Sequence, residues 1–190
     1  KYNGNTLTVL SKYGTNAEYW FGTSSVSPNL LFIQIYGGGI TSNRRNRYVS
    51  LTGYEDQWIH IVGAYDGRGG TNADKGLRIY INGVRQTETR TQIGTYTAMT
   101  NTNETLKIGK VASNYADGFI DEIAIFNTEL SASEVASIYN SGVPNDLSSY
   151  SSLVSWWRFE EGSGTTATDS GSGGNDGTIT NGATYSTDKP

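Results

Sequence analysis

Few side chains in this sequence are equipped for covalent or acid-base chemistry. The 190 residues contain no Cys and one His, His60. That removes thiolate zinc sites, cysteine nucleophiles and multi-histidine metal sites, and leaves any Ser-His-Asp relay resting on one imidazole. His60 lies in the apolar stretch WIHIVGAY, where a packed, hydrogen-bonded ring is expected rather than a catalyst. Two kinds of recognition chemistry remain. Arg44, Arg45 and Arg47 sit among Ser42, Asn43 and Asn46 and read as the tip of a hairpin, either solvated or holding an anionic ligand. A sugar, in contrast, needs an aromatic plane beside amide and carboxylate hydrogen-bonding groups. Trp20, Tyr36, Tyr48, Tyr54, Tyr96 and Tyr115 lie near expected loops, although most of the 13 Tyr are expected to pack sheets. Arg44, Arg45, Arg47, Tyr48 and Tyr115 are therefore the candidate ligand-binding residues.

The elements that must position them are strands. Gly, Thr, Ser and Asn make up 83 of the 190 residues and aromatics 12%, a mixture of turn formers and β formers that predicts an all-β chain. The formal charge of −4 disfavours polyanion partners, nucleic acid among them. The longest apolar stretch, Leu30 to Tyr36, is interrupted by Gln34, far short of the roughly 20 residues a spanning helix needs. Lys1 comes first and the only Met is Met99, so the chain is expected to be a processed product, an excerpt or the ordered part of something larger, from which a signal peptide could have been lost without trace.

Alternation predicts strands over Asn5 to Lys12, Glu18 to Thr23 and Leu30 to Tyr36. The strongest strand pattern, Trp58 to Tyr65, predicts a central strand covered on both faces. Leu77 to Ile81 runs into Asn82-Gly83, a turn signal because both residues accept positive φ. A short strand is expected at Leu106 to Lys110 and a longer one over Gly118 to Phe126, with Asp121 and Glu122 facing opposite sides. One helix is expected near 131–141. Ser131 and Glu134 form a capping box, Leu130 and Val135 a hydrophobic staple, and Gly142 with Pro144 a stop. Residues 146–152 read as a polar linker, and 153–159 as a strand followed by a Gly-rich segment.

Three pieces together resemble one family. They are WIHIVGAYDG at Trp58 to Gly67, LRIYING at Leu77 to Gly83 and GFIDEIAIFNTELSASEV at Gly118 to Val135. They are similar to the laminin-G-like, concanavalin-A-like jelly roll family, in its bacterial and phage-associated branch. The resemblance implies a two-sheet antiparallel sandwich whose inner faces meet about 10 Å apart. It assigns 1–145 to the body and closing unit of one sandwich and 153–190 to a segment similar to that fold's opening strands. Three origins for that order stay open: a tandem array, a permuted domain, or donation to a neighbouring chain. Both ends fall where the family continues, so a stand-alone sandwich is expected to lack strands.

The resemblance also bears on chemistry. Glucanases on this fold place carboxylates two residues apart along a strand, whereas Asp121 and Glu122 are adjacent, which argues against retaining hydrolysis. The Gly-rich loop resembles one that holds calcium in many members. Asp169, Asn175 and backbone carbonyls would supply oxygen ligands, with Asp121 and Asp176 as further candidates, while Gly173 replaces a usual Asn. An ordinary Asx-turn loop is the alternative. The function expected is a non-catalytic binding or adhesion module of an extracellular, cell-surface or virion-surface protein. It recognises a glycan or cell-surface polysaccharide through loops at the sandwich edge, with neighbouring copies as partners and no membrane insertion. The alternative is a structural subunit of a fibre, capsid decoration or filament assembled through 153–190.

Overall fold

The computed structural model describes all residues, Lys1 to Pro190. Four long strands come first: β1 (Thr8–Tyr13), β2 (Ala17–Ser24), β3 (Ser27–Tyr36) and β4 (Arg44–Ser50). Then come β5 (Ile61–Tyr65), β6 (Leu77–Ile81), β7 (Val84–Arg85) and β8 (Thr89–Ile93). Shorter pieces follow as β9 (Leu106–Ile108), β10 (Lys110–Val111), β11 (Asn114–Tyr115) and β12 (Ile123–Phe126). Helix α1 (Ala132–Tyr139) precedes β13 (Leu153–Trp157), β14 (Thr166–Ala167) and β15 (Gly177–Thr178). No helix is long and apolar enough to cross a membrane.

The strands build a two-layer antiparallel sandwich. One sheet has six strands in the order β8-β4-β3-β2-β1-β9; β5-β6-β7 faces it, and β12 pairs with β13. Alternation decides which side chains meet. Leu31, Ile33 and Ile35 of β3 and Val49 of β4 form one buried cluster with Leu77, Ile79 and Ile81 of β6, and Ile59, Ile61 and Ile123 pack against it. Each such side chain contributes about 1.5–3 kcal/mol by leaving water. Gly22 of β2 is needed where the chain passes β1, since a Cβ there would stand 2.6 Å from the Leu7 carbonyl oxygen at a φ of +153°.

Local signals set several elements as expected. Asn82 and Gly83 take φ of 49° and 77° and join β6 to β7. Ser131 caps α1 with a complete capping box, and Leu130 and Val135 are buried together. The helix ends earlier than Gly142, because Asn140 adopts the left-handed conformation at its C-cap.

Other expectations need correction. The arginines are not at a hairpin tip. β4 runs in register with β3 from Leu30↔Ser50 to Tyr36↔Arg44 and with β8 from Arg44↔Ile93 to Tyr48↔Thr89, so the reversal falls before Arg44. The strand expected over Trp58 to Tyr65 begins only at Ile61, and β5 pairs on one edge only. The strand expected from Gly118 starts at Ile123, since Gly118 and Glu122 take φ of +153° and +52°. β12 likewise pairs only with β13, and a cavity of about 800 Å³ is lined by both β5 and β12. Residues 146–152 are not a bare connector: Leu147 is buried with Leu153 and Trp156, and Tyr150 packs against them. Residues 153–157 are paired within their own chain, Ile123↔Trp157 to Phe126↔Leu153.

Candidate functional site

The six-stranded sheet has a second face, and its side chains follow from the same alternation. With Leu31, Ile33 and Ile35 turned to the core, β3 presents Phe32, Gln34 and Tyr36 on the other side. Register then sets three cross-strand rows. Ser11, Trp20, Gln34 and Asn46 are Cα partners in turn; Gly22, Phe32 and Tyr48 form a second row; Tyr36 and Arg44 belong to a third. The β10-β11 hairpin and the Ser24–Ser27 turn stand over this face. Together they enclose a groove of about 360 Å³ lined by Tyr13, Trp20, Phe32, Gln34, Tyr36, Arg44, Asn46, Val111 and Asn114 among others.

Aromatic rings tile the groove floor. Trp20 stacks on Phe32 with centroids 5.8 Å apart, Phe32 meets Tyr48 at 5.2 Å, and Tyr13 meets Tyr36 edge-on at 5.7 Å. Polar groups are interleaved. The Tyr36 hydroxyl donates to Gln34 Oε1 at 3.2 Å; burial pushes the phenol up, which keeps that proton in place. Trp20 Nε1, Asn46 Oδ1 and Arg44 Nε are enclosed without a hydrogen-bond partner. An enclosed polar atom left unpaired costs about 1–3 kcal/mol, and these three atoms lie beneath the groove surface; Gln34, Arg44, Asn46 and Asn114 are among the polar side chains that line it.

The candidate residues divide between two faces of β4. Arg44 lines the groove, and Tyr48 flanks it through Phe32. Arg45 and Arg47 point the other way. Arg45 is 3% exposed and donates to the carbonyls of Thr71, Arg44, Ile93 and Gly94. Arg47 Nε donates to the Asp74 carbonyl at 2.9 Å, and its guanidinium pairs with Asp74 and Glu88. Both are fastened to the fold, which corrects their reading as ligand-binding. Tyr115 is exposed, under Lys110 Nζ at 4.7 Å and outside the groove lining. Tyr96 is a core residue. His60 stacks on Tyr139 at 5.8 Å, but its Nδ1 has no partner, and burial lowers its pKa. Trp20 and Tyr36 of the wider aromatic set join the site; Phe32, Gln34 and Asn46 were missed. Their sequence signal was Gln34, a polar residue at every-second spacing between Phe32 and Tyr36 in an otherwise apolar run.

The proposed metal ligands do not converge. Asp169 Oδ1 accepts from the backbone N–H of Trp156 (2.7 Å) and Gly171 (2.8 Å), and Oδ2 from Asn175 N–H (2.8 Å). Asp176 Oδ1 accepts from Asp169 N–H, and Asn175 Nδ2 donates to Ser155. Asp121 lies elsewhere, coupled electrostatically to Glu160, Lys189 and the amino terminus. No three His, Asp or Glu groups are grouped to hold an ion. A calcium cage of six to eight oxygens does not fit this donor set, because the loop's own N–H groups occupy the carboxylate; the Asx-turn alternative describes it. Calcium or EGTA is expected to leave the melting midpoint unchanged in scanning calorimetry, and a calcium-dependent rise would contradict this.

Asp121 and Glu122 likewise act locally. Glu122 N–H donates to Asp121 Oδ1 at 3.1 Å, and Glu122 accepts from Trp156 Nε1 at 2.6 Å with Arg158 3.8 Å away. Burial raises both carboxyls above their usual range.

A family model described as the concanavalin A-like lectin/glucanases superfamily matches residues 2–136. No curated protein and no solved structure matches.

Proposed function

The chain belongs to the concanavalin A-like lectin/glucanase superfamily, and from that premise we propose a non-catalytic carbohydrate-binding module of an extracellular or cell-surface protein, which seats a glycan in the groove on the outer face of the six-stranded sheet. The location differs from the edge loops expected from sequence. The observation that carries the reading is an aromatic floor interleaved with the polar side chains of Gln34, Arg44 and Asn114 in one groove. Pyranose rings present an apolar face and a rim of hydroxyls, which match these two components. A non-catalytic role is supported by Glu122, whose carboxylate is committed to Trp156 and Arg158.

The test is a glycan array followed by calorimetry on the full chain. Phe32→Ala and Tyr13→Ala, both on groove-lining residues, are expected to weaken the selected glycan about tenfold each, or roughly 1.4 kcal/mol, with circular dichroism confirming the native sheet. Tyr115→Ala serves as a control on the exposed hairpin. Retention of no glycan, or loss of affinity only with Tyr115→Ala, would overturn the proposal.

A further inference from the structure

We propose that the ligand is an acidic saccharide, a sugar bearing a carboxylate, with Arg44 as the anchor for that group; the proposal rests on the carbohydrate reading of the groove. Arg44 is the only charged residue among those lining it. The chain carries more acid than base, 18 Asp and Glu against 14 Lys and Arg, yet none of that acid reaches Arg44.

The other arginines are accounted for. Arg47 and Arg90 pair with Asp74, Arg68 with Asp66, Arg78 with Glu129, Arg85 with Glu88 and Arg158 with Glu122. Arg45 is saturated by backbone carbonyls. Arg44 makes one bond, Nη1 to the Thr41 carbonyl at 3.2 Å, and its Nε is enclosed without a partner. The nearby acid of β2, Glu18, is committed to Lys12 Nζ at 2.9 Å and to the Thr102 N–H.

A guanidinium presents its N–H groups as a planar fork, and a carboxylate matches that fork with two parallel bonds. Tyr36 is the Cα partner of Arg44 across the β3-β4 ladder. Its hydroxyl is buried against Gln34 Oε1, which fixes the floor of the groove beside the guanidinium. Asn46, two residues along β4 on the same face, lines the same groove. One charge at one end of an aromatic floor orients the sugar as well as holding it.

The experiment uses the full chain and an array that pairs uronic-acid oligosaccharides with their carboxyl-reduced counterparts and with sulfated analogues. The acid is expected to bind at least tenfold tighter than its reduced counterpart. Arg44→Gln is expected to bring that ratio close to one, and Arg44→Lys to restore only part of it, because an ammonium lacks the fork. Equal binding of acid and reduced sugar, or a preference surviving Arg44→Gln, would overturn the anchor while leaving the carbohydrate reading intact. Tighter binding of sulfated sugars would overturn the carboxylate assignment. Binding of no sugar in any form would overturn both.

Discussion

Replacing Asp169 with alanine is expected to destabilise the protein by about 3–5 kcal/mol, since it strips the acceptor from three backbone donors at once and each loss costs about 1–3 kcal/mol. Asp169 is 8% exposed, and its carboxylate joins Trp156 of β13 to Gly171 and Asn175 of the Gly-rich loop. Trp157 Nε1 donates to the Asn175 carbonyl at 2.9 Å from the same strand, so one side chain holds a whole segment in place. For a chain of this length about 1 kcal/mol moves the midpoint by roughly 2–4 °C; a fall on the order of 10 °C in calorimetry follows. Asp169→Asn should be milder but still destabilising, because an amide offers one acceptor oxygen. Burial by itself would raise the Asp169 pKa, but the backbone N–H bonds outweigh it and hold the carboxyl below its usual value. The charged form is thus favoured by folding, and this stability is present above the unfolded value of about 3.9 and lost as pH falls through the lower folded value. Hydrogen exchange should report the loss at Thr166–Thr178 first. A variant that melts with the wild type would refute this account.

Asp74→Ala is expected to cost a similar amount, about 3–5 kcal/mol, the usual penalty for breaking a buried ion pair from one side. Asp74 has no exposure, and its Oδ1 accepts from Gln92 Nε2 at 2.5 Å. Its Oδ2 lies 3.7 Å from Arg47 and 3.6 Å from Arg90. Removing it leaves Arg47 facing Glu88 alone. Asp74→Asn should cost less than Asp74→Ala, since its side-chain oxygen can still accept from Gln92 Nε2. The functional consequence follows from β4, which carries Arg47 on one face and Arg44 and Asn46 on the other. Loosening its inner face should also weaken the proposed glycan binding. Urea unfolding of the two variants measures the first effect and calorimetric titration the second; equal stability of Asp74→Ala and Asp74→Asn would contradict the argument.

How far the sequence carried depended on the range of the interactions involved. The β3 alternation, the Asn82-Gly83 turn and the Ser131–Glu134 cap were legible because each is settled within a few residues by Cβ direction, positive φ or a side chain reaching its own backbone. The arginines show the limit. Arg44, Arg45 and Arg47 among Ser and Asn have the composition of a turn, yet β8, more than forty residues on, pairs with them and makes them strand. Asp169 shows another. Its loop offers oxygens as a cation site would, and only the placing of Trp156, Gly171 and Asn175 decides that backbone N–H groups take them.

The amino-acid order by itself determined the β class, the single capped helix and the absence of thiol or multi-histidine chemistry, because periodicity and residue type suffice for those, while the two-layer sandwich entered through the family resemblance. Only the tertiary structure decided that Trp20, Phe32, Gln34, Tyr36, Arg44 and Asn46 share one groove. That depends on strand register and on the β10-β11 hairpin lying over the sheet. Which polar groups end without a partner follows from the same placement, since a one-residue slip would turn every one of these side chains to the opposite face.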